Sequence, residues 1–207
     1  MKKLILLMVI LTVMINNSKA QNSGTSFGLK IGTNYSNQYD SKGGEFTASS
    51  KLGFAAGAFL ALPIGDFIGI QPEILFSQKG FKATGSVLGS PYDLTRTTSY
   101  IDVPLMLAIK PISALTIVLG PQYSYLLKQK DVFTNQAFTS EQNKEFNNDN
   151  IRKNVLGFSG GVDINIKNTV IGLRAGRDFQ NNNGDGTSST PRYKNAWVQA
   201  TLGVRIF

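Results

Sequence analysis

After residue 20, the chain shows eight separate stretches in which apolar residues stand at every second position. In the clearest of them, Leu115, Ile117 and Leu119 are each separated by one intervening residue. A period of two places successive side chains on opposite faces of a β-strand. The pattern therefore predicts eight strands of about ten residues or more, near 26–35, 51–62, 67–79, 97–110, 114–127, 154–166, 169–179 and 195–207.

The connections between these stretches alternate between short and long. Tight turns are predicted at 63–66, 111–113 and 167–168, and long polar loops at 36–50, 80–96, 128–153 and 180–194. Short turns on one side and long loops on the other are typical of outer-membrane barrels. The predicted fold class is therefore all-β, an eight-stranded antiparallel up-and-down transmembrane β-barrel with both chain ends on the side of the short turns.

The period of two does not by itself decide which face of the sheet points inward. A soluble lipocalin-like carrier buries its apolar face inside the barrel. Here the less apolar face is rich in small residues and carries few charges, whereas a water-facing sheet usually carries many. We therefore expect Leu105 and Ile117 to face lipid, and Glu73 and Gln122 to face the lumen.

Composition and aromatic placement support the same orientation. Charged residues make up 16% of the chain, against about 25% in a typical soluble domain. Aromatic residues lie near strand ends, as in the girdles that mark both membrane interfaces: Tyr35, Phe67, Phe81, Tyr100, Tyr123, Tyr125, Tyr193 and Trp197. These features predict an outer-membrane location.

Residues 1–20 have the organisation of a secretory signal peptide. Lys2 and Lys3 precede a 12-residue apolar run, and Ser18 and Ala20 supply small residues before a cleavage site. The run is shorter than the ~20 apolar residues that a spanning helix needs. We expect cleavage to leave Gln21 first, so that residues 1–20 are the signal peptide and residues 21–207 the barrel.

Four segments carry a resemblance to a known family: SFGLKIGTNYSN, GFAAGAFLALPIGDFIGIQPEILFSQKGFK, YIDVPLMLAIK and VLGPQYSYLL. They are similar to the outer-membrane β-barrel domain family that includes PorT-like proteins, over nearly all of 26–207. The most specific element is the PEILFSQKGF core. The resemblance implies an eight-stranded outer-membrane barrel, and PorT-like members are associated with protein secretion and gliding.

The end of the chain departs from the usual barrel pattern. Outer-membrane barrels typically end in an aromatic residue that continues the lipid-facing alternation. Here the alternation runs through Val204 and Ile206, which leaves the terminal Phe207 one position out of phase. Either the last strand contains a bulge, or Phe207 lies beyond the strand pairing.

Charged residues on the predicted lumen face are the candidate site. They could form an ion or proton path or an acid–base pair, or they could pair with one another as a polar plug. We favour the plug, because buried charges away from water must be paired and the interior of a barrel of eight strands is filled by side chains. The set comprises Lys30, Glu73, Lys79, Asp102, Arg174, Asp178 and Arg205.

The chain offers little conventional catalytic chemistry. It contains no His and no Cys, which excludes a Ser-His-Asp triad, thiolate chemistry and thiolate metal sites. The segment 181–186 resembles the start of a calcium loop, but Arg192 stands where the twelfth-position Glu would be. We predict no enzyme activity, no cofactor and no metal site.

Removal of residues 1–20, with their three lysines, lowers the net charge from +8 to +5, and the basic residues are scattered. No nucleic-acid partner is therefore expected.

The expected partners are outer-membrane lipid, the barrel-assembly machinery and other envelope proteins. The predicted function is a structural or partner-binding role. A small channel or ligand-binding barrel, an outer-membrane enzyme and a soluble periplasmic carrier remain alternatives.

Overall fold

The computed structural model describes residues 24–42, 47–87, 90–135, 139–144, 151–184 and 192–206. The predicted signal peptide, the Gln21 cleavage position and Phe207 lie outside these ranges. Within them the chain forms nine strands: β1 Ser26–Lys42, β2 Thr47–Pro63, β3 Ile68–Val87, β4 Ser90–Ile112, β5 Leu115–Asn135, β6 Thr139–Lys144, β7 Asn154–Ile166, β8 Thr169–Asp178 and β9 Arg192–Arg205.

Eight of the strands close into a ring. Its order is β1, β2, β3, β4, β5, β7, β8 and β9, with every neighbour antiparallel. Closure comes from pairing of the first strand with the last, where Gly28 pairs with Arg205 and Ser36 with Trp197. This confirms the predicted eight-stranded antiparallel barrel.

The ninth strand lies outside the predicted set. β6 pairs with the distal part of β5, from Gln129 opposite Lys144 to Thr134 opposite Thr139. It therefore continues the sheet beyond the point where β7 leaves β5, since the β5–β7 pairing ends at Tyr125 and Asn154.

The three predicted tight turns are confirmed. Residues 64–67 connect β2 to β3, residues 113–114 connect β4 to β5, and residues 167–168 connect β7 to β8. The last turn is a two-residue hairpin in which Lys167 has φ of 52°, as such turns commonly require. Ile206 donates a backbone hydrogen bond to Phe27 at the same end of the barrel.

The prediction of long loops at the opposite end was wrong for much of 36–50, 80–96 and 128–153, whereas the described residues 180–184 form no strand. β3 continues to Val87 and β4 starts at Ser90, so that most of 80–96 is a paired hairpin. β5 likewise continues to Asn135. The outward side chains in these segments are more polar because they no longer face lipid. The backbone pairing between the strands nevertheless continues. The β-branched threonines in these segments also favour the strand conformation.

The two faces of the barrel are assigned as predicted. Leu105 and Ile117 point outward and are 52% and 38% exposed, whereas Glu73 and Gln122 point inward and are each 4% exposed. An outward apolar band of this extent is unfavourable in water and matches a lipid environment. The alternative of a soluble carrier with an apolar interior is therefore wrong.

The aromatic residues divide between the two faces. Tyr35, Phe67, Tyr123 and Tyr125 are exposed on the outside, as a membrane girdle requires. Phe81, Tyr100, Tyr193 and Trp197 are instead buried in the lumen, so the girdle prediction was wrong for them. Proximity to a strand end indicates how deep a residue lies in the membrane. Its position in the alternation decides whether it faces lipid or the lumen. No helix in the described ranges is long and apolar enough to cross a membrane.

Candidate functional site

The lumen near the short turns contains a cluster of four charged side chains, which we call the turn-side cluster: Lys30, Glu73, Asp163 and Arg174. Glu73 lies between the two cations, with Oε2 2.5 Å from Lys30 Nζ and 2.7 Å from an Arg174 guanidinium nitrogen. The other end of the guanidinium lies 3.0 Å from Asp163 Oδ2. The cluster contains two cations and two anions and is formally neutral.

Four different strands supply these side chains. Lys30 is on β1, Glu73 on β3, Asp163 on β7 and Arg174 on β8. Gln71 completes the arrangement, since its amide donates to Glu73 Oε1 at 2.9 Å and to Asp163 Oδ2 at 3.3 Å. All five side chains are at least 95% buried. Ion pairs in a low-dielectric interior need their remaining hydrogen-bonding atoms to be satisfied; here Arg174 Nε is the exception, with no partner among the described residues.

A second group, the middle cluster, lies further along the barrel axis and is built around Lys79. The ammonium lies 3.0 Å from Asp102 Oδ2 and 3.5 Å from Ser124 Oγ. It also stands over the rings of Trp197 and Tyr100, at 3.9 Å and 4.9 Å from their centroids. A desolvated ammonium gains cation–π stabilisation from such aromatic faces.

Asp178 occupies the wall of the same region. Asn195 donates to its Oδ2 at 2.7 Å, and the Tyr39 hydroxyl donates to its backbone carbonyl oxygen. Its Oδ1 is buried and has no hydrogen-bond partner among the described residues. Asp178 is thus a buried carboxylate with incomplete hydrogen bonding, next to the fully paired Asp102.

A third group closes the outer end of the lumen and was missed by the sequence analysis. Arg96 and Asp131 form a two-pronged ion pair with distances of 2.7 Å and 2.8 Å. The guanidinium also lies 5.7 Å from the Phe81 ring and 5.8 Å from the Tyr193 ring. We call these four residues the outer cap; each is less than 10% exposed.

The structure thus brings six of the seven predicted residues into the two lumen clusters or beside them. Arg205 is the exception. It is half-buried at the end of β9, where its guanidinium donates to Asn165 Oδ1 at 2.5 Å. The alternation correctly predicts that Arg205 points inward. Because Arg205 is the last residue of β9, however, it lies at the rim of the barrel and not in the packed lumen.

Two of the charged residues missed by the sequence analysis had recognisable signals. Asp163 alternates with Val162 and Ile164 on a predicted strand, and so belonged to the lumen face. Arg96 and Asp131 fell in segments assigned to loops, where the alternation was not followed. Continuing the alternation of β4 would have placed Arg96 on the lumen face with Thr98 and Asp102. On β5 it would have placed Asp131 outward, because a register shift between Leu126 and Lys128 changes the phase of the strand.

The arrangement is suited to filling the lumen more than to reacting. Each cation of the three groups has a carboxylate partner, and Met106 and Val118 belong to a buried apolar cluster of the lumen. The cavity beside Lys30 and Arg174 has a volume of about 10 Å³, roughly the space of one water molecule. The described side chains contain no group of three or more potential metal ligands.

A model of the outer membrane protein beta-barrel domain matches residues 19–185. No curated protein matches the chain. Among solved structures, Ail, the attachment invasion locus protein of Yersinia pestis, is 15% identical, with a TM-score of 0.46 and coverage of 86% of this chain and 97% of that chain.

Two further structures give similar values. Neisserial surface protein A is 14% identical with a TM-score of 0.43, and 88% of this chain and 99% of that chain are covered. OprG from Pseudomonas aeruginosa is 10% identical with a TM-score of 0.42, and 87% and 96% are covered. The family match spans most of the chain and agrees with the closed ring and its outward apolar band. The protein is an outer-membrane β-barrel that belongs to the outer membrane protein beta-barrel domain family.

Proposed function

We propose that this protein is a non-enzymatic barrel whose sealed lumen anchors a projecting sheet that binds a partner in the cell envelope. The observation that carries the proposal is the extension of the strands beyond the outward apolar band. This outer sheet comprises residues 81–87 of β3, 90–96 of β4, 128–135 of β5 and the whole of β6.

The outer sheet is held by continuous pairing. The β3–β4 ladder runs without interruption from Phe81 opposite Arg96 to Val87 opposite Ser90. Tyr92 and Phe133 stack with ring centroids 5.1 Å apart, and the exposed Lys130 and Glu141 pair at 2.7 Å. A paired sheet presents its side chains in a fixed geometry, which lowers the entropic cost of binding compared with a flexible loop.

A structural role for the lumen fits its charge balance. Buried ions that are mutually paired hold the barrel in one register and leave little space for permeating ions. We therefore propose that the barrel does not conduct ions steadily. The polar plug, including Lys30, Glu73, Lys79, Asp102, Arg174 and Asp178, with Arg205 at the rim, then serves stability and not catalysis.

The wider setting of the proposal rests on the sequence. We propose that residues 1–20 direct export and are removed, and that the barrel-assembly machinery inserts the mature chain. The resemblance to PorT-like proteins supports a partner connected with protein secretion. The barrel is proposed to need no cofactor and to bind no nucleic acid.

The proposal predicts that the outer sheet can be shortened without loss of the barrel. Ala83 and Leu94 are paired across the β3–β4 hairpin, so residues 84–93 can be replaced by Asn-Gly, which forms a tight two-residue turn. We expect both the parent and this variant to reach the outer membrane and to shift on gels when heated, as closed barrels do. Envelope proteins that co-purify with the parent from detergent-solubilised membranes should be depleted.

A matched control is the Lys130→Gln, Glu141→Gln double variant, which removes an exposed ion pair without shortening the sheet. Binding that survives the shortened hairpin as well as it survives the control would contradict a partner site on the outer sheet. Steady single-channel conductance by the purified parent in planar bilayers would instead favour the channel alternative.

A further inference from the structure

A groove of about 570 Å³ lies on the outward face of the barrel, where β1, β9, β8 and β7 run side by side. Its volume is within the range of about 300–1,000 Å³ found for small-molecule sites. The floor is formed by small residues, and aromatic side chains form the walls: Ala175, Gly176 and Ala196 in the floor, and Tyr35, Phe158 and Phe179 in the walls.

The groove opens onto the membrane. Tyr35, Phe158 and Phe179 are 56%, 39% and 54% exposed and point outward. On β1 the same face continues from Tyr35 to Ile31, and on β8 it continues to Leu173, both of which are exposed apolar residues. The groove therefore lies at the outer edge of the apolar band, where exposed aromatic residues mark the membrane interface.

One cation lines the outer part of this groove, and a second lies beside it. Arg177 lines it, is exposed and pairs across the β8–β9 ladder with Ala196. Lys194 lies two residues beyond Ala196 on the same outward face, which makes it a diagonal neighbour of Arg177 at about 7–8 Å. Arg177 forms no ion pair with the described side chains, and Arg177 is the sole charged residue among those that line the groove.

An apolar groove that is open to the bilayer and has a guanidinium at its interfacial edge is complementary to an anionic amphiphile. An acyl chain fits the aromatic walls and the small-residue floor. Two phosphate oxygens can accept parallel hydrogen bonds from the arginine fork. We propose that this groove is a binding site for an anionic phospholipid of the outer leaflet, whose phosphate is held by Arg177. This inference is independent of the proposed partner-binding function.

The groove has a built-in reporter. Trp197, the single tryptophan of the chain, also lines the groove, but it is 5% exposed and its ring lies on the lumen side of the wall. The ring packs directly behind Gly176, where a Cβ would lie 2.5 Å from Trp197 Cζ2. A lipid seated in the groove is therefore separated from the indole only by the backbone of the wall, and it lies nearer to the indole than bulk lipid does.

The test uses quenching of Trp197 fluorescence by brominated acyl chains. The full-length barrel is reconstituted in phosphatidylcholine vesicles that contain increasing fractions of dibrominated phosphatidylglycerol, and in parallel series with dibrominated phosphatidylcholine. We expect stronger quenching by the anionic lipid at equal bromine content. Arg177→Gln should reduce this preference about five-fold, which corresponds to the roughly 1 kcal/mol that one basic residue contributes near an anionic surface.

Two matched controls separate the groove from general effects. Lys82→Gln removes an exposed cation from β3, four strands away from β8 in the ring, and should leave the preference unchanged. Ala196→Phe fills the groove and should abolish the preference for the anionic lipid, whereas Ala200→Phe on the same outward face of β9 should not. The proposal is overturned if the parent shows no quenching, if both lipids quench equally, or if Arg177→Gln behaves as Lys82→Gln does.

Discussion

Replacement of Glu73 by leucine is expected to destabilise the barrel by about 3–5 kcal/mol, the usual cost of breaking a buried ion pair by removing one partner. Glu73 lies within 2.5–2.8 Å of both Lys30 and Arg174. Its loss leaves the buried Lys30 ammonium without a carboxylate partner. Reversible urea unfolding of the barrel in phospholipid vesicles, followed by Trp197 fluorescence, measures the change in the free energy of unfolding.

Two controls give this prediction its specificity. Glu141→Leu removes one partner of the exposed Lys130–Glu141 pair and should change stability by no more than about 1 kcal/mol. The Lys30→Met, Glu73→Leu double variant removes one charge of each sign and leaves Arg174 paired with Asp163, so it should be less destabilised than Glu73→Leu alone. If Glu73→Leu costs no more than Glu141→Leu, the lumen charges do not stabilise the barrel.

Replacement of Leu105 by arginine is expected to cost about 2–4 kcal/mol, the range found for a cation on the lipid-facing side near the bilayer midplane. Leu105 is 52% exposed and is the middle residue of the outward apolar series on β4 that runs from Ile101 to Ile109. The described residues paired around this position on β3 and β5 include no outward carboxylate, so the arginine must distort the bilayer or be desolvated. The same unfolding measurement in vesicles applies.

Leu105→Ile is the matched control, since it keeps the site apolar and nearly isosteric. It should cost less than about 1.5 kcal/mol. Equal stability of the arginine and isoleucine variants would mean that this face of β4 does not contact the hydrocarbon region, which would contradict the orientation of the whole barrel.

The alternation of residues along each strand is sufficient to predict the orientation of the barrel wall. Leu105 and Ile117 face outward and Glu73 and Gln122 inward because a period of two is a local property of the extended backbone. The short turns could be located for a similar reason, since Pro63 and the dipeptide at 167–168 interrupt the apolar pattern locally.

The outer sheet could not be predicted in this way. Polar residues in 80–96 and 128–135 show that the outward face meets water, and a polar face is compatible with either a loop or a strand. Only the pairing partners distinguish the two. β4 supplies them for the ends of both β3 and β5, and β6 covers the other edge of β5.

Local periodicity is enough to predict an eight-stranded barrel with charges on its inner face, because strand number and facing follow from it. Which of these charges meet depends on the packing of the whole ring. Arg174 reaches Glu73 across 101 positions of the chain, and Arg205 is left at the rim, because the register of eight strands and the pairing of β1 with β9 set the height of every inward side chain. That register is a property of the closed ring, since each ladder constrains the next around the barrel, and no single strand encodes it.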